Sequence, residues 1–113
     1  MKNMIIEAIK QANSDWIEIC ELIWIVKSIG KIHNLDEIKI KVLQLLELLL
    51  QQGLMDIGYI EKNNGFIAWE TSVEDSLLRV KTEWDKLNRE PEIGEIFWLA
   101  NTEKGHIEAK KYL

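Results

Sequence analysis

Apolar residues recur along the chain at two spacings, and the switches between them mark out the elements. Ile5, Ile6 and Ile9 share one side of a helix over the first dozen residues. Asn13-Ser14-Asp15 breaks that pattern, and Asp15 with Glu18 three positions on predicts the cap of a second helix running to about Ser28. Along it Trp16, Ile19, Cys20, Ile23 and Val26 follow at helical spacing, while Ile17, Trp24 and Ile25 fill the other side. A helix apolar nearly all round is expected at the centre of the fold, which puts Trp24 inside. The same isoleucines and valine also suit a strand; length and capping favour the helix.

Gly30 stops this segment, and Asn34 with Glu37 offers the cap of a long helix from about Asp36 to Gln52, closed by Gly53. Its inner stripe is Ile38, Val42, Leu45, Leu46 and Leu49, although Ile38 to Val42 also alternates with the period of a strand. Leu54 to Glu61 alternates likewise, Lys62-Asn63-Asn64-Gly65 is turn chemistry, and Phe66 to Trp69 is the return strand of a hairpin. Thr71 and Ser72 each precede an acid by three residues and open a helix whose stripe is Val73, Leu77, Val80, Trp84 and Leu87, ended by Pro91. Glu95 to Leu99 reads as a short strand, and Thr102 caps a last helix through about Lys111. With no repeat or linker, the expectation is one domain over residues 1–113. Its class is mainly α (α+β), with a small antiparallel hairpin or sheet.

Composition supports folding: 47% of the 113 residues are hydrophobic and one is proline, unlike a disordered chain. The start, Met1 to Glu7, has too short an apolar stretch for a signal peptide, and one cysteine rules out an internal disulfide, so a reducing, cytoplasmic setting is expected. Val42 to Leu50, the densest apolar stretch, falls short of a membrane span. A net charge of −5 points away from nucleic acid, which is held by neutralising phosphates. From Glu70 to Glu95 eight acids face four bases, so much of the negative charge lies in one third of the chain.

Equipment for catalysis is thin. His33 and His106 read as surface residues, Cys20 as a small hydrophobe within an apolar helix, and no triad is expected from them. Two histidines and one cysteine make no zinc-type cluster, and the scattered glycines make no phosphate-cradling loop. No enzyme activity, catalytic residue, metal or cofactor is therefore expected. Tryptophan is frequent at binding hot spots. Of five, Trp84 and Trp24 read as core, and Trp16 and Trp69 as candidate surface anchors.

The leucine-rich run Leu45 to Leu50, closed by Gly53 and followed by a hairpin, and the strand-to-helix junction Trp98-Leu99-Ala100-Asn101-Thr102-Glu103-Lys104-Gly105 together resemble the winged-helix arrangement. This sequence departs from it in two ways. The stretch in the place of the recognition helix holds only Lys39 and Lys41 as bases and no arginine, the usual reader of guanine. A further helix, Val73 to Arg89, is inserted between hairpin and last strand and brings acids where a DNA-binding wing would approach phosphate.

In character the chain is similar to the immunity proteins of polymorphic and contact-dependent growth inhibition toxins. That resemblance implies binding to one cognate toxin domain, often a basic nuclease. An acidic surface would steer such a partner. The candidate contact residues are Glu70, Glu74, Asp75, Glu90, Glu92 and Glu95, with Trp69 and Trp16 as anchors. Two alternatives stand beside it. One is a winged-helix transcriptional regulator with Lys31, Lys39, Lys41 and Lys62 toward phosphate; the other is an adaptor subunit of a larger complex.

Overall fold

Five helices and four strands alternate along the chain. In order they are α1 (Lys2–Gln11), β1 (Ile17–Glu18), α2 (Ile19–Ser28), α3 (Leu35–Gln51), β2 (Met55–Glu61), β3 (Gly65–Ala68), α4 (Val73–Leu87), β4 (Trp98–Asn101) and α5 (Glu103–Lys110). The computed structural model describes all of residues 1–113. Local chemistry accounts for most boundaries. Asn34 Oδ1 accepts the N–H groups of Asp36 and Glu37 at 3.0 and 3.1 Å and opens α3, which is helical throughout, including the Ile38 to Val42 stretch. Ser72 Oγ takes the Asp75 N–H and Thr102 Oγ1 the Gly105 N–H, opening α4 and α5 in the same way.

Three boundaries differ from the sequence reading. Asp15 does not cap α2: Ile17 and Glu18 are drawn into a two-residue strand paired with Leu99 and Trp98, so the helix starts later and Glu18 is its N-cap. Helix α4 ends at Asn88, which adopts the left-handed conformation (φ 54°), ahead of Pro91. The last strand begins at Trp98, because Glu92 to Ile96 fold into a turn that Gly94 (φ 82°) and Ile96 (φ 66°) close in the left-handed region.

The sheet has the order β1-β4-β2-β3, with every neighbouring pair antiparallel. Its core side and the helices enclose one cluster of 23 buried residues, in which Leu45, Leu46 and Leu49 of α3, Ile19, Leu22 and Ile25 of α2, and Phe97 and Leu99 are fully buried. The radius of gyration, 13.2 Å, is close to the roughly 13 Å of a single folded domain of this length. No helix is long and apolar enough to cross a membrane. Helix α4 packs on α3, where Lys39 pairs with Asp85 and lies 5.9 Å from the Trp84 ring centre.

Gly58 is required by crowding. A Cβ there would lie 2.0 Å from the Ile67 carbonyl oxygen across the hairpin. Gly58→Ala is accordingly expected to destabilise the fold by about 1–3 kcal/mol, as overpacking does. A urea titration followed by circular dichroism checks this, and a midpoint equal to that of the parent chain would refute it.

Candidate functional site

Two of the sequence assignments inside α2 are corrected by the structure. Trp24, expected in the core, is 54% exposed, and Cys20, expected deep in the helix, is only half-buried. The reason is geometric. A helix that is apolar on every side must still leave one side out if its neighbours cover only the rest, and here Leu22, Ile23, Ile25 and Val26 take the covered positions.

Beside Trp24 lies the loop from Asn88 to Phe97, and the loop is fastened on several sides. Glu18 Oε1 accepts the Gly94 N–H at 2.9 Å, Lys27 Nζ pairs with Glu90 at 2.8 Å, and the Cys20 thiol donates weakly to the Pro91 carbonyl at 3.6 Å. Within the loop, the Arg89 guanidinium grips both Glu95 oxygens at 2.7 and 2.9 Å, and Glu95 also accepts the Glu92 N–H. That fork holds the Glu95 carboxyl down at about 2. Ile93 rides on the fastened loop and is 80% exposed.

Between loop and helix is a notch of about 320 Å³, lined by Gln11, Glu18, Cys20, Glu21, Trp24 and Ile93. Such a volume is at the low end for ligand pockets. Glu18 is 2% exposed, and Glu21 Oε2 accepts the Glu18 N–H at 2.9 Å. Burial, and then the hydrogen bond to the Glu18 carboxyl, push the Glu21 carboxyl up to about 7. The Cys20 thiol is pushed up to about 12, by burial first and then by Glu18, which makes it a poor nucleophile at neutral pH.

No family model, curated protein or solved structure matches the chain. The arrangement of its own side chains is what bears on function.

The eight residues singled out from sequence fall in four places. Glu90, Glu92 and Glu95 belong to the fastened loop, next to the notch. Glu70, Glu74 and Asp75 lie at the opposite end of α4, whose 15 residues span about 22 Å. Trp69 packs against the core with the Arg79 guanidinium 3.8 Å above its ring, so one face of the indole is already covered. Trp16 is 42% exposed, beside Asp15, Asn101 and His106. Sequence reasoning passed over Trp24 and Ile93; a long apolar side chain in an otherwise acidic loop, as in Pro91-Glu92-Ile93-Gly94, was the one signal available for the latter.

The outward side of α3 carries Glu37, Ile40, Lys41, Gln44, Glu47 and Gln51, two acids and one base. Lys39 is turned toward α4 and held by Asp85. A helix so furnished has little to offer phosphates or guanine edges.

Glu21 also sets a pH dependence. Its folded pKa lies above the ordinary carboxyl value, so between about 4.5 and about 7 the folded chain holds more protons than the unfolded one. Its contribution to stability is then present in full below that window and is lost as pH rises through it. Glu21→Gln is expected to flatten this decline, measured as urea midpoints across the window. An unchanged slope would show that Glu21 titrates normally.

Proposed function

We propose that this chain is a non-enzymatic protein-binding domain that neutralises a basic partner domain, in the manner of an immunity protein acting on a toxin. The observation that carries the reading is the pairing of exposed Trp24, on α2, with exposed Ile93 on a fastened, acid-bearing loop. Aromatic anchors contribute strongly when a partner desolvates them, and a loop already held in place loses little freedom on binding. Glu90 and Glu92, both exposed, flank the anchors. Their charge suits a basic surface of the kind a nuclease presents to nucleic acid.

The order of leucine-rich helix, glycine and hairpin supports the winged-helix reading, while the outer side of α3, with two acids against one base, disfavours the DNA-binding regulator.

The test is direct. The product of the neighbouring gene, if it ends in a small basic domain, is expressed with this chain, and the complex is measured by calorimetry at several salt concentrations. A complex with nanomolar affinity is expected, with association slowing as salt rises. Glu92 has no internal ion pair, so Glu92→Lys removes charge without breaking the loop, and it is expected to slow association about tenfold. Glu74→Lys, at the far end of α4, is expected to change the rate little. Equal effects of the two reversals would count against the loop as the contact surface. Retardation of DNA from the chain's own upstream region at low salt, with no protein complex, would replace this reading with the regulator.

A further inference from the structure

We propose that the chain pairs with a second copy of itself along the free edge of β3, antiparallel about Ile67, so that two sheets of four strands become one continuous sheet. This surface is separate from the face on α2 and the loop, and the pairing does not depend on the inhibitor reading.

The sheet runs β1-β4-β2-β3, so β3 has a strand on one side only. Its ladder to β2 fixes which backbone groups are left over. Trp69 donates its N–H to the Ile57 carbonyl, and the alternation of an antiparallel ladder makes Tyr59 and Ile67 the next hydrogen-bonded pair. The N–H and C=O groups of Phe66 and Ala68 therefore point away from β2, and no turn or loop supplies them a backbone partner. Such an edge is a template for another strand, and natural proteins commonly blunt it with lysine or proline. Gly65-Phe66-Ile67-Ala68 carries neither. At the opposite edge β1 is two residues long and runs straight into α2, so it offers no comparable template.

A second copy is the occupant this edge fits, because the edge is complementary to itself. With a twofold axis at Ile67, Phe66 of each copy stands opposite Ala68 of the other, and every free group of the two edges finds a partner. Ile67 meets its counterpart at the closer, non-hydrogen-bonded position, where β-branched side chains pack well. Ile67 is half-buried, and Tyr59, its neighbour across the hairpin, is 46% exposed. The axis continues this apolar row from one copy into the other. Charge agrees. Lys62 precedes β3 and Glu70 follows it; both are exposed, and neither is in an internal ion pair. Antiparallel pairing sets Glu70 opposite Asn64 of the second copy, one diagonal step from its Lys62, and does so twice. Parallel pairing would set each charge beside its twin. A twofold contact uses up both edges and closes, so it gives a dimer and no filament. With β1 at the far edge, about 14 Å away across three strand spacings, the Trp24 face of each copy stays free.

Sedimentation velocity on the full chain alone, up to about 500 µM, tests the pairing. A monomer–dimer equilibrium in the micromolar range is expected, since the paired segment is short. Amide exchange at Phe66 and Ala68 should slow as the dimer fills. Ala68→Pro removes an N–H that β2 does not use, and edge strands tolerate proline where the N–H faces solvent, so the monomer should keep its circular dichroism spectrum while association weakens about tenfold or more. Glu70→Lys should weaken association about threefold, and the double exchange Lys62→Glu with Glu70→Lys should restore it. A monomer throughout the range, a dimer that Ala68→Pro leaves intact, or a double exchange that associates no better than Glu70→Lys would overturn the proposal. If the proline variant fails to fold, amide protection and the charge exchange decide the question. A chain that stays monomeric, yet gains protection at Phe66 and Ala68 when a basic partner domain is bound, would give the edge to that partner's strand instead.

Discussion

Trp24→Ala lowers affinity for the protein partner by about 2–4 kcal/mol, roughly thirty- to a thousandfold, and leaves the thermal midpoint almost where it was. The two halves of this expectation have one cause. More than half of the Trp24 side chain is in water, so the free protein gains little from its burial and loses little by its removal. A partner that covers the ring gains its area and its contact with whatever sits in the notch. Calorimetry on the complex and a melt of the free chain measure the halves separately. Trp84→Ala is the internal contrast: that ring is 7% exposed between α3 and α4, and its loss should appear in the melt. If Trp24→Ala binds as tightly as the parent chain, the face formed by α2 and the loop is not the contact surface.

Phe97→Ala is expected to cost about 3–5 kcal/mol, as loss of a buried aromatic does, against a total stability of about 5–15 kcal/mol for a domain of this kind. Phe97 is fully buried and directly follows Ile96, which holds the left-handed conformation that β-branched residues rarely adopt. Its N–H donates to the Glu95 carbonyl at 2.8 Å, so the ring pins the end of the acid-bearing loop to the core. The melting temperature should fall by more than about 10 °C. Partner binding should weaken too, because a loosened loop must be ordered again on association. A shift of only a few degrees would mean that the core closes over the missing ring.

These two residues also mark the limits of sequence reasoning. The caps at Asn34, Ser72 and Thr102 and the hairpin turn at Asn64-Gly65 were legible because each depends on residues three or four positions apart. The start of α2 was not. Asp15 and Glu18 form a plausible local cap, yet Ile17 pairs with Leu99, more than eighty positions away, and that pairing moves the cap to Glu18. Trp24 was misplaced for a related reason. Nothing local tells an all-round apolar helix which of its sides the rest of the chain will leave bare.

The acidic third of the chain divides along the same line. That Glu70 to Glu95 carries an excess of acids is a property of the residues in order, as are the helical stripes, the strand alternation and the lack of a zinc-type or triad motif. Where those acids stand depends on folding. A 15-residue helix separates Glu74 and Asp75 from Glu90, Glu92 and Glu95, while Lys27, Arg89 and Gly94 fasten the second group beside α2. The buried Glu18–Glu21 pair, the exposed indole of Trp24 and the notch between them exist only once β1 has joined β4 and the loop has closed over it. Short-range hydrogen bonds and hydrophobic periodicity act within a few residues and are written in the order of the chain, whereas burial and charge pairing depend on which distant segments meet.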